Sequence, residues 1–223
     1  MFDDDTNLLY ADRSLKTVKD TVNVELMKVH EWLTSNKLTL NFQKSNYVIS
    51  HPYQKKIDNK VNIVMFDSDS KLFKPLEEKK YLKYLGVIID SNLSWKYRIG
   101  HIISSKRSRT IVNYIARIRH HVPTNTLLTI YRSLMLPYLY FGLSVWGQAA
   151  QTYLNQILVL QKHALLLIYF APYRTHAIPL ILSSNLLPID TFYLRLIATL
   201  MHDVSNNLAP LTISDLFKCS SNI

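Results

Sequence analysis

Acidic residues are missing from the middle of this 223-residue chain, where neither Asp nor Glu occurs between Asp90 and Asp190. Four of the histidines in that interval, His101, His120, His121 and His163, therefore lack acidic or cysteine partners at ligand spacing, which argues against a zinc site. Glycine is scarce as well, at 4 residues, so tight turns are few and a helix-rich chain is expected. A single cysteine, Cys219, excludes an internal disulfide framework and a Cys/His zinc knuckle, and it fits a reducing compartment. No basic and apolar leader precedes the acidic start, so secretion is not expected and an intracellular location is. The most apolar stretch, Leu127 to Gly147, is interrupted by Arg132 and Pro137, so it reads as buried helix and no membrane partner is expected.

What the acid-free interval does contain is ten cations: Lys96, Arg98, Lys106, Arg107, Arg109, Arg117, Arg119, Arg132, Lys162 and Arg174. The other 16 Lys and Arg match the 16 Asp and Glu, so this interval carries the whole net charge of +10. An uninterrupted basic field is what binding to a polyanion requires, although a merely solvated basic face would carry the same composition. A hydrophobic fraction of 48% is too high for a disordered chain, and the length allows one large core or two small ones; two lobes are expected.

The hydrophobic period changes along the chain. TNLLYA reads as a short strand, and Leu15, Val18, Val22, Leu26, Val29 and Leu33 then form one stripe of a helix over 14–35, capped by Ser14 and ended by Asn36. Leu38, Leu40 and Phe42 alternate, NYVIS reads as the strand after a turn at 43–45, and VNIVMF and YLKYLGVIID complete a mixed region. The fold class is thus α+β, with residues 1–92 mixed and 93–223 helical. Helices are expected near 97–121, 124–144, 151–170 and 189–206, with shorter turns near 175–182 and 210–217. Pro123, Pro172, Pro179, Pro188 and Pro210 mark the joints, and Pro137 should bend or divide its helix. On one continuous helix over 97–121, Arg98, Lys106, Arg109 and Arg117 fall in a sector of about 100°, with Ile99 and Ile103 at its edge and Ile111 and Ile115 opposite. Such a ridge would present cations to a phosphate backbone, with Arg107 out of place on the apolar side.

Four segments taken in order carry a family resemblance: FDDDTNLL; VHEWLTSNKLTLNFQKSNYV; KYLGVIIDSNLSWKYRIGHI; and IYRSLMLPY running into LYFGLSVWG. Together they resemble the reverse transcriptases of non-LTR, LINE-type retrotransposons, from Phe2 to about residue 190. The resemblance implies the end of a polymerase palm, built of short antiparallel strands and a helix, over 1–92, followed by a helical thumb and extension over 93–223. It implies that Phe2, Asp4 and Asp5 match the catalytic Asp-Asp turn, with Asp3 in the variable slot. Asp4 and Asp5 would bind Mg²⁺, because two-metal nucleotidyl transfer sets hard cations among carboxylate oxygens, and the cations offset the repulsion between neighbouring aspartates. Without that resemblance the acidic tripeptide reads more readily as an exposed acidic terminus that binds no metal.

Lys44 then matches the lysine placed near the incoming nucleotide, where a cation can neutralise or protonate departing pyrophosphate. Tyr84, Leu85 and Gly86 match the hairpin that grips the primer end. The implied partners are an RNA template and a DNA primer as hybrid duplex, with deoxynucleotides as substrates, in cytoplasm and nucleus. A further palm aspartate and the fingers would lie before Met1, so no polymerase activity is expected of these residues alone. Two rivals stand beside this reading: a non-catalytic nucleic-acid-binding module, and a decayed retroelement reading frame.

Overall fold

A computed structural model of the chain describes residues 6–55, 61–67 and 71–217. The chain divides into two compact units, residues 1–82 with 90–92, and residues 83–89 with 93–223. The helical and strand regions follow the α+β expectation.

In the first unit, α1 (Leu15–Ser35) starts where the Ser14 hydroxyl accepts the Thr17 N–H. The expected stripe is the buried face: Val22 and Leu26 pack on Val61, Ile63 and Met65, with Leu15, Val18, Val29 and Leu33 at the margin. The helix ends at Asn36, after which Lys37 takes the left-handed conformation (φ 56) and Leu38 N–H returns to Leu33 C=O at 2.9 Å. That closure normally selects glycine, which this chain scarcely has. The same closure, with a non-glycine residue in the left-handed position, recurs at Phe170, Asn185 and Asn207.

The strands are β1 (Asn46–Tyr47), β2 (Val64–Asp67), β3 (Leu72–Pro75), β4 (Glu77–Glu78), β5 (Tyr81–Tyr84) and β6 (Val87–Asp90). They pair as separate two-stranded ladders: β1 parallel to β4, β2 antiparallel to β3 with Phe66 opposite Phe73, and β5 with β6 as a hairpin. The Asn23 side chain ties α1 to this layer by accepting Val64 N–H at 3.0 Å. TNLLYA is not a strand. No strand among the described residues pairs with it, and Leu8 and Leu9 stay exposed, so alternation alone had nothing to hydrogen-bond to. Residues 38–41 likewise form no ladder, and a single 3₁₀ turn over Phe42–Lys44 takes the chain into β1.

The second unit is helical: α2 (Lys96–Ser104), α3 (Lys106–Ile118), α4 (Thr124–Ile130), a π-turn (Tyr131–Met135), α5 (Leu136–Tyr140), α6 (Leu143–Trp146), α7 (Gln151–Ile168), α8 (Ala177–Ser183), α9 (Ile189–Ser205) and α10 (Leu211–Ser214). Its core is one cluster in which Ile99, Ile115, Tyr131, Leu139, Trp146, Ile157 and Leu165 are fully or almost fully buried. Each such side chain contributes about 1.5–3 kcal/mol of burial. Pro137 acts upstream of itself. It cannot donate to Ser133 C=O, and the ladder widens there, with Leu136 N–H bonding Tyr131 C=O. Pro123, Pro188 and Pro210 each stand immediately before a helix. No helix among the described residues is long and apolar enough to cross a membrane.

Candidate nucleic-acid interface

The turn of the β5–β6 hairpin is built from Leu85 and Gly86, both left-handed, at φ 44 and φ 84. Two such residues in succession make the type I′ geometry that matches strand twist, and it strains any residue but glycine or asparagine. Gly86 is further required by space, because a Cβ there would sit 3.0 Å from Phe141 Cε1. Leu85 carries the strain with its side chain exposed, at the tip of the hairpin.

Arg98 fixes this turn. Its guanidinium donates to Gly86 C=O at 3.2 Å and to Phe141 C=O at 3.0 Å. It lies 5.9 Å from the centre of the Phe141 ring and 6.0 Å from that of Trp146. Trp146 Nε1 donates to the same Phe141 carbonyl at 2.9 Å. Next door, Gly142 (φ 70) lets the helical segment approach β6, since a Cβ would lie 2.8 Å from Val87 Cγ2. Burial lowers the Arg98 pKa, yet a guanidinium stays charged across the physiological range. Three sequence segments, KYLG, SWKYRIG and LYFGLSVWG, therefore meet at one buried cation.

That position corrects the expectation for Arg98, which is only 3% exposed and cannot contact phosphate from there. The continuous helix expected over 97–121 is in fact two. Ser105 breaks it (φ −60, ψ 143) and caps α3, its hydroxyl accepting Ser108 N–H at 3.1 Å, while the buried Ser108 hydroxyl donates to Ile102 C=O at 2.7 Å. The signal was in the sequence, since a serine immediately before a periodic run is an N-cap candidate. Across the break the helical phase is lost. On α3 alone, Lys106, Arg109 and Arg117 share one exposed face with Asn113, opposite buried Ile111, Val112 and Ile115. Arg107 stays exposed and lies over the Tyr138 ring at 5.3 Å.

The remaining predicted residues fall as follows. Tyr84 is half-buried at the end of β5. Lys44 is exposed at the end of the 3₁₀ turn, which the Asn41 side chain holds by accepting Lys44 N–H at 3.2 Å. Phe2, Asp3, Asp4 and Asp5 lie outside the described residues, and among those described no group of three or more His, Cys, Asp or Glu could hold a metal. Trp95 and Trp146 are buried aromatics of the helical core.

Comparison with known proteins gives relatives of one kind. The chain is 37% identical over 92 residues to the RNA-directed DNA polymerase from mobile element jockey of Drosophila funebris, covering 41% of this chain and 10% of the relative. Its counterpart in Drosophila melanogaster is 33% identical over the same length and shares. The probable RNA-directed DNA polymerase from transposon X-element of Drosophila melanogaster is 24% identical over 162 residues, 72% of this chain and 17% of the relative. The matched stretches thus span 10% to 17% of these relatives. No family model and no solved structure matches the chain.

Proposed function

We propose that this chain, whose homologues are the RNA-directed DNA polymerases of non-LTR retrotransposons, is the part of such a polymerase that ends the palm, grips the primer and holds the template–primer duplex on a helical thumb. The observation that carries the reading is the convergence on Arg98. Segments that are each weak as motifs are joined by one buried guanidinium into a single body, with the strained Tyr84–Leu85–Gly86 turn at its edge and an acid-free basic face on α3.

The residues then divide their work. Lys106, Arg109 and Arg117 neutralise backbone phosphates of the hybrid duplex. Leu85 and Gly86 offer backbone and an apolar side chain to the primer end, and Arg98 positions them without touching nucleic acid. Lys44 faces the nucleotide. Asp4 and Asp5 would hold Mg²⁺, for which a set of carboxylate oxygens is the right donor chemistry. Bound there, the metal would activate the primer hydroxyl and stabilise the triphosphate. For nucleotidyl transfer the resemblance requires a further palm aspartate and the fingers, which these 223 residues do not supply.

The test is binding to an RNA–DNA hybrid as salt is varied. Log Kd should change steeply with log salt, and replacing Lys106, Arg109 and Arg117 by alanine should flatten the slope by about 2 to 3 units. An unchanged slope in that variant would sink the duplex-binding reading. Primer extension by the 223-residue chain in Mg²⁺, abolished by Asp4→Ala, would show that it performs the chemistry unaided, contrary to the dependence proposed.

A further inference from the structure

Apart from the α3 face, the second unit carries a polar cavity of about 380 Å³ among Thr124, Asn125, Thr129, Arg132, Ser183 and Asn185. Its shape follows from how α8 ends. Asn185 is left-handed (φ 51) and Leu186 N–H returns to Ile181 C=O at 3.1 Å. The carbonyl of Ser184 accepts from the Arg132 guanidinium at 2.6 Å. Arg132 is thereby held by one edge, and its side chain is otherwise exposed.

Three of the hydroxyls around it, those of Thr129, Ser183 and Ser184, are already committed. Thr129 donates to Asn125 C=O at 3.0 Å and Ser183 to Leu180 C=O at 3.0 Å. Ser184 donates to Leu180 C=O at 2.6 Å, so the 2.9 Å contact between its oxygen and the Tyr169 hydroxyl uses the tyrosine proton. A hydroxyl has one proton to give. Thr129 and Ser183 can therefore offer only lone pairs to a ligand, beside one oriented cation. A ligand that satisfies both brings an oxyanion for Arg132 and hydroxyl donors for the oxygens, which is what a phosphate followed by a ribose with its 2′-hydroxyl presents. Deoxyribose lacks that donor.

Tyr169 lines the cavity, and the chain that continues from it supplies what unpaired bases seek. Tyr169 leads into Phe170, whose ring lies 4.9 Å from the Arg119 guanidinium, and into Tyr173, which is 83% exposed with Lys162 at 5.7 Å from its ring centre. Aromatic faces backed by cations stack bases without regard to sequence. No carboxylate lies in the 91–189 interval to oppose the phosphate.

We propose that the Arg132 cavity binds an unpaired RNA strand, with a backbone phosphate on Arg132, a ribose hydroxyl on Thr129 and Ser183, and a base on Tyr173. This goes beyond the duplex-binding reading and uses none of its residues. The experiment is fluorescence anisotropy with labelled oligouridine, oligodeoxyuridine of equal length and an RNA–DNA hybrid, on the whole chain. Wild type should prefer oligouridine to oligodeoxyuridine. Arg132→Ala should weaken both single strands about tenfold or more and leave the hybrid unchanged. Thr129→Val with Ser183→Ala should erase the preference for RNA while keeping affinity for the DNA strand.

Equal wild-type affinity for the two strands, or an Arg132→Ala variant that still binds oligouridine within about twofold, would overturn the proposal. So would inorganic phosphate that competes as effectively as the strand, since the cavity would then be a small-anion site. If Arg132→Ala loses its cooperative melt, the Thr129 and Ser183 double variant decides by itself through the RNA-to-DNA ratio. Loss of hybrid binding on removing the α3 cations, with oligouridine binding intact, leaves this site standing independently.

Discussion

Arg98→Ala is the substitution whose outcome separates a buried guanidinium from a surface ridge. On a continuous helix over 97–121 the side chain would be solvated, and its loss would change stability by no more than about 0.5 kcal/mol. In the structure it is buried and donates to Gly86 C=O and Phe141 C=O. Each hydrogen bond from a charged donor contributes about 1.5–3 kcal/mol, and the truncation leaves Gly86 C=O without this partner and opens a cavity beside Trp146. Relief from burying a charge offsets part of that loss. Trp146 Nε1 also continues to donate to Phe141 C=O. The net expected cost is about 3 kcal/mol. Arg98→Met refills the volume without the charge and should cost no more than about 1.5 kcal/mol. Urea unfolding followed by tryptophan fluorescence suits the measurement, since Trp95 and Trp146 are buried in the same cluster while Trp32 is largely exposed. A loss below about 1 kcal/mol for Arg98→Ala, or equal losses for Ala and Met, would refute the clamp.

Gly142→Ala should destabilise by about 1–3 kcal/mol, because φ 70 and the 2.8 Å approach of Val87 Cγ2 leave no place for a Cβ, whereas Gly100→Ala, with nothing within 4 Å of its Cβ, should stabilise by about 0.5–1 kcal/mol; paired denaturation curves check both. Lys37→Gly should stabilise by about 1 kcal/mol, since Lys37 is exposed and left-handed at the end of α1, and an unchanged melting midpoint would speak against strain there. Burial raises the pKa of Tyr131 and Tyr140 above the ordinary tyrosine range. The unfolded chain therefore loses protons near pH 10 that the folded chain keeps, so stability should be flat below about pH 9 and fall as pH rises through 10 and above. Denaturation midpoints measured across that range test the sign, and rising stability would contradict the burial.

Legibility in the sequence followed the range of the interaction that decides each feature. The α1 stripe, its Ser14 cap and its end at Asn36 could all be read, because spacing and a capping hydroxyl are local facts. The later helices were placed within a few residues for the same reason, helped by Pro123, Pro188 and Pro210. Strands were harder. TNLLYA has the pattern but no partner, and Asn46–Tyr47 is a strand only because Glu77 and Glu78 run parallel beside it. The break at Ser105 is equally local, an N-cap serine, and the isoleucine period hides it only when residues 97–121 are placed on one axis. The π-turn before Pro137 was half legible: proline announces a fault, but not that the ladder absorbs it one turn upstream.

Arg98 shows how charge pattern alone misassigns a residue that the fold buries. Counted as a cation in an acid-free interval, it belongs with Lys106, Arg109 and Arg117, and nothing in composition separates them. What separates it is that two glycine-dependent backbones, at Gly86 and Gly142, turn carbonyls of the hairpin and of the α5–α6 corner toward the same point. A cation there needs no carboxylate, because two carbonyl dipoles and two aromatic faces supply its counter-charge. With no acid between Asp90 and Asp190, this arginine is buried on carbonyl partners instead. The same absence of acid leaves Lys106, Arg109 and Arg117 with no acidic residue on their own helix, so one compositional fact has two consequences: a clamp where carbonyls converge inside the fold, and an exposed basic face on α3.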